Sequence, residues 1–158
     1  MTQIQFTAMP AETAQQLWKG GSDAYGNQPS RAVSDGKGVP CRHYLRPVEK
    51  GQGYLILAYR PFPEAQAFAE TGPIFLHASP CRRYPETANP PGMFLHRPQY
   101  LLRAYNQNHQ IIYGTGAVVL TACMIGQAQR LLANPEAAYL HLRSGQYNCF
   151  LCRIDRAA

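Results

Sequence analysis

The chain has 158 residues, 46% of them hydrophobic and 15% charged. That balance excludes a disordered chain and suffices for one domain over residues 1–158 with a sizeable core. Fifteen Lys and Arg against nine Asp and Glu leave a formal charge of +6, which directs attention to anionic partners, although no five basic residues run together. Residues 1–10 have neither the basic head nor the apolar stretch of a signal peptide, and no apolar run is long enough to span a bilayer. The expectation is a soluble cytoplasmic protein with no membrane partner. Five cysteines without a secretory signal argue against a disulfide framework and leave reduced thiols, packing or metal binding.

Residues 2–7 alternate polar and apolar, the pattern of a half-buried strand. Pro10 then opens a short helix over residues 11–19 that turns Leu17 and Trp18 inward and ends at Gly20-Gly21. Residues 21–38, rich in Gly, Ser, Asp, Asn and Pro, read as a long loop. Residues 39–45 and 53–62 read as two strands about the turn 47–51. The second is apolar on both faces, as a central strand is. One helical turn fits residues 64–70.

The stretch Gly-Pro-Ile-Phe-Leu-His-Ala-Ser-Pro-Cys-Arg-Arg-Tyr over residues 72–84 is the chemically richest. It forms a strand with Ile74 and Leu76 toward the core, then delivers His77 and, past Pro80, Cys81. Residues 82–97 are an irregular, proline-rich crossing. Residues 100–106 and 110–114 suggest a hairpin around Asn106-Gln-Asn-His109. Thr121 opens a helix to about residue 133 with Met124, Ala128, Leu131 and Leu132 at helical spacing. Residues 138–143 and 147–154 make a final hairpin. This order predicts an α+β fold, mainly antiparallel, with a strongly curved or barrel-like sheet and two short helices.

Four stretches occur in order: Val39-Pro40-Cys41-Arg42, Gly72-Pro73-Ile74-Phe75, Leu102-Arg103-Ala104-Tyr105 and Asn148-Cys149-Phe150. In these the chain resembles a bacterial family classed only as a domain of unknown function, number 1203 in that naming, from about residue 39 to 156. The resemblance implies a single small domain with no assigned activity. It also implies one cysteine in the last strand, matched by Cys149, with Cys152 as an extra.

Among candidate site residues, Tyr139, His141 and Arg143 share one face of a strand, as do Leu101, Arg103 and Tyr105 on another. If these faces meet, they form a pocket for a carboxylate or phosphate, with Arg42, Arg103, Tyr105 and Arg143 as ligand contacts and His77 and His141 as acid–base groups. The leading expectation is therefore binding or processing of a small anionic metabolite or nucleotide. A non-catalytic RNA- or protein-binding module, drawing on Arg82-Arg83-Tyr84 and residues 97–103, ranks below it. A third reading is a zinc protein using Cys41, His77, Cys81 and Cys149 in some combination. Cys149-Phe-Leu-Cys152 reads as strand thiols, because positions i and i+3 of a strand point to opposite faces. No paired acidic motif favours a magnesium-dependent transferase or a two-carboxylate glycosidase. The sequence assigns no cofactor.

Overall fold

Two antiparallel sheets and two helices arise from the apolar runs of this chain, as the computed structural model, covering residues 1–158, shows. The larger sheet joins β1 (Ile4–Thr7), β5 (Gln99–Tyr105), β6 (Ala117–Leu120), β7 (Tyr139–Ser144) and β8 (Phe150–Arg156) in the order β1-β8-β7-β5-β6. The smaller sheet has β3 (Gly53–Tyr59) between β2 (Ser30–Val33) and β4 (Gly72–His77). Helix α1 (Ala11–Trp18) follows β1, and α2 (Met124–Leu132) continues from a 3₁₀ turn at Thr121–Cys123. The α+β, antiparallel expectation holds, with the strands divided between two open sheets.

Strand alternation decides where the cores sit. Leu102 and Ala104 of β5, Leu140 and Leu142 of β7, and Ile154 of β8 bury one face of the larger sheet against Met124, Ala128, Leu131 and Leu132 of α2. The helical spacing of those four residues is why α2 covers this face. A second core joins Leu55 and Leu57 of β3, Ile74 and Leu76 of β4, and Ala14 and Leu17 of α1. No helix is long and apolar enough to cross a membrane.

Four expected elements differ. Residues 21–38 include β2, an edge strand with Ser30, Arg31 and Val33 exposed. It pairs with β3 through backbone bonds and leaves no apolar periodicity to read. Residues 39–45 form a tight turn, because the Leu45 N–H donates to the Cys41 carbonyl at 2.8 Å and Leu45 adopts φ 54°. Residues 110–114 make only one bridge, Ile111 to Tyr105. Gly114, at φ 89°, then redirects the chain so that β6 becomes the partner of β5. Residues 64–70 hold two short-range backbone bonds, Ala69 N–H to the Gln66 carbonyl at 2.9 Å and Glu70 N–H to the Phe68 carbonyl at 3.0 Å, in place of the helical turn expected.

The Trp18 indole N–H donates to the His77 carbonyl at 2.8 Å, fastening α1 to the end of β4. Trp18→Phe keeps most of the ring and loses that bond. It should cost about 1 kcal/mol of stability, read by urea unfolding followed by circular dichroism.

Candidate functional site

The face of β7 opposite α2 carries Tyr139, His141 and Arg143, and the cross-strand register sets Tyr105 against Tyr139 and Arg103 against His141. The two polar faces expected from sequence therefore meet. They are covered rather than open: Phe62, from the segment after β3, and Phe150, at the start of β8, pack on the His141 ring at 5.0 and 4.8 Å. Tyr105 lies 4.6 Å from the same ring and stacks on Tyr139 at 5.3 Å. His141 and Tyr105 are completely buried.

This environment makes His141 neutral. Burial, then the positive charge of Arg143 and Arg103, holds its imidazole well below the ordinary value of 6.5. Arg143 Nη2 lies 3.2 Å from His141 Nδ1. Because a guanidinium can only donate, Nδ1 accepts and Nε2 carries the proton. That Nε2 is buried without a partner, as is Arg143 Nε.

Glu70 is the carboxylate of the cluster. Its Oε1 accepts from Arg103 Nη2 at 2.5 Å and its Oε2 lies 3.5 Å from Arg143 Nη1. Arg103 Nε also donates to the Tyr105 hydroxyl at 2.9 Å. Two guanidiniums thus answer to one half-exposed carboxylate, which leaves an excess of positive charge and of donors.

Space adjoins the cluster on two sides. A cleft of about 1100 Å³ between α1, β3 and β8 reaches His141, Phe150, Tyr59, Arg60 and Arg153. A smaller hollow of about 200 Å³ is walled by Glu70, Arg143, Asn148, Cys149 and Phe150. Burial raises the Tyr59 hydroxyl at the cleft wall to about 12, so it stays protonated at neutral pH.

Arg42 spends donors on the backbone. It is buried, with Nε donating to the Phe150 carbonyl at 2.6 Å and Nη1 to the Pro40 carbonyl at 2.7 Å. Desolvation lowers its guanidinium to about 10, still charged at neutral pH. In the basic–aromatic run Arg82 is exposed, while Arg83 and Tyr84 bond within the protein. Arg83 donates to the carbonyls of Met9 and Ala8, both at 2.9 Å, and the Tyr84 hydroxyl lies 3.1 Å from that of Thr87.

His77 joins a separate group of thiols. The Cys41 and Cys81 sulfurs lie 3.8 Å apart, and with His77 their ligand atoms fall within 4.8 Å of one another. The backbone N–H groups of Tyr44 and His77 point at Cys41 Sγ from 3.5 and 3.4 Å. The Cys81 S–H above all, then the His77 ring and these backbone donors, hold the Cys41 thiol down at about 4 despite burial. The Cys81 thiol moves up, since it donates to that thiolate and faces its charge. Cys149 lies outside the group, against the hollow beside Arg143, with Sγ 3.9 Å from the Tyr147 carbonyl. Cys152 is fully buried, which raises its thiol.

Sequence reasoning missed four contributors: Glu70, Phe62, Phe150 as the cover of His141, and His43, whose Nδ1 lies 3.4 Å from Cys81 Sγ. His43 stands two residues after Cys41. Because residues 39–45 form a turn rather than a strand, that spacing carries no cue to its position.

No curated protein and no solved structure matches this chain. The model of a family described as "Protein of unknown function (DUF1203)" matches residues 38–156, a span that holds Arg42, the thiol group and the whole β5–β7 face. The four ordered stretches named above all lie within that span, and the chain belongs to this family.

Proposed function

We propose that the protein binds a small anionic metabolite, a carboxylate or phosphate compound such as a nucleotide, through Arg103 and Arg143 beside His141. The observation that carries the reading is the unmatched set of donors: Arg143 Nε and His141 Nε2 are buried without acceptors, and Glu70 alone offsets two guanidiniums. A bound anion supplies the missing acceptors and charge. Tyr105 orients Arg103 through its hydroxyl. Where processing accompanies binding, the neutral His141 can donate its Nε2–H as a hydrogen bond that polarises the ligand, without giving up the proton. His77, held among thiols, takes no part in this site. The reading includes a cytoplasmic setting, whose reducing conditions keep sulfurs as close as those of Cys41 and Cys81 as thiols.

Thermal shift against a panel of phosphorylated and carboxylated metabolites tests it. Arg103→Met should abolish ligand-induced stabilisation while the protein stays folded. Glu70→Gln, which removes the competing negative charge and one of the two acceptor oxygens, should tighten binding about fivefold, the equivalent of about 1 kcal/mol at a partly exposed site. An unaltered ligand response in Arg103→Met, or weaker binding in Glu70→Gln, counts against the assignment.

A further inference from the structure

The group formed by Cys41, His77 and Cys81 has the dimensions of a ligand set. With Zn–S of about 2.3 Å and Zn–N of about 2.0 Å, tetrahedral angles place two ligand sulfurs about 3.8 Å apart and a sulfur and nitrogen about 3.5 Å apart. The two sulfurs lie at 3.8 Å, and all three ligand atoms fall within 4.8 Å of one another. Two backbone N–H groups already converge on Cys41 Sγ, the support a metal thiolate needs. His77 Nδ1 is buried with no partner of its own. The ligands come from three separate stretches: the tight turn after Pro40, the end of β4, and the residue after Pro80. His77 and Cys81 also open onto a hollow of about 820 Å³ lined by Tyr44, Arg46, Glu49 and Arg82.

We infer that Cys41, His77 and Cys81 hold one zinc ion through three protein ligands, with its fourth position open toward this hollow. Two thiolates balance the dication, so the half-buried centre is neutral, and a donor set of two sulfurs and one imidazole suits zinc. A zinc with an open position takes a water molecule or a ligand oxygen, which it polarises. The hollow carries Arg46 and Arg82 against the single Glu49, so it favours a negatively charged or carbonyl-bearing ligand there. His43 is a positioning residue: its Nδ1 lies 3.4 Å from Cys81 Sγ and fixes that thiolate.

Elemental analysis of the full chain, purified reduced and without chelator, should find about one zinc per chain. Cobalt(II) added to the zinc-free protein should give the visible bands of a tetrahedral site with two thiolates. Cys81→Ser and His77→Gln should each lose stoichiometric metal, whereas Cys123→Ser, at an exposed cysteine outside the group, should keep it. His43→Ala should bind cobalt about 10–100-fold more weakly with the two-thiolate bands retained. Azide should shift the cobalt bands, and bands indifferent to azide would overturn the open position. Metal-free protein that gives no cobalt spectrum when reduced would overturn the site. So would a thiol count two short of the five cysteines, since the pair would then be a disulfide. Should Cys81→Ser fail to fold, cobalt titration of His77→Gln decides the matter alone.

Discussion

Arg42→Ala should lower stability by about 3 kcal/mol, and the melting temperature by roughly 6–12 °C for a chain of this size. The guanidinium is buried and has no carboxylate partner. It is held by the carbonyls of Phe150 and Pro40, bonds to a charged donor worth about 1.5–3 kcal/mol each. Truncation removes one charged donor from each carbonyl, the bond to Phe150 being buried and that to Pro40 part-buried, and opens a void between the turn at 40–45 and β8. Removing a desolvated charge offsets part of the loss, which keeps the expected net below the sum of the two bonds. Arg42→Met, which retains most of the stem, should recover the packing share but not the bonds. Urea and thermal unfolding measure both variants. A fully stable Arg42→Ala protein that no longer responds to anions would instead make Arg42 a ligand contact.

Acid should weaken the fold through His141. Its imidazole has a folded value well below the 6.5 of an exposed histidine. Between those two values the unfolded chain binds a proton that the native chain does not. Stability present above about pH 7 is therefore lost as pH falls through 6.5 toward the folded value, by up to about 1.4 kcal/mol for each pH unit. Denaturant midpoints taken from pH 7 to pH 5 should trace this slope down to the folded value. His141→Gln removes the titrating ring and keeps an acceptor for Arg143, so its profile should be flatter by that amount. Parallel profiles for the two proteins would mean that the buried imidazole is already compensated.

The parts of the fold legible in the sequence are those with side-chain periodicity. β1, α1, β3, β4, β5, α2 and β8 each bury an alternating or helical set, α2 with the four residues expected, and β7 alternates leucines with polar residues although both its faces are buried. β2 was illegible because it is an exposed edge held by backbone bonds. Residues 39–45 look like a strand because Val39, Cys41 and Leu45 are buried, yet a turn buries them as well. The pairing of the Arg103 and His141 faces could be foreseen, since both follow from alternation along neighbouring strands. Glu70 could not, because an acidic residue in an irregular segment carries no sign of which arginine it will meet. The same holds for His43 and for the separation of Cys149 from Cys41 and Cys81. These depend on how the turn at 40–45 and the residues after Pro80 return toward β4, which local pattern does not encode.

Trp18 is the sole tryptophan of the chain. Its indole bonds the His77 carbonyl and meets the His43 ring edge-on at 5.3 Å. The protein thus carries an intrinsic fluorophore in contact with two of the histidines around the thiol group. Emission from a single indole depends on the polarity and charge within a few ångströms of the ring. Whatever protonates, oxidises or occupies that corner of the molecule should be visible in the native spectrum, with no label and no engineered reporter.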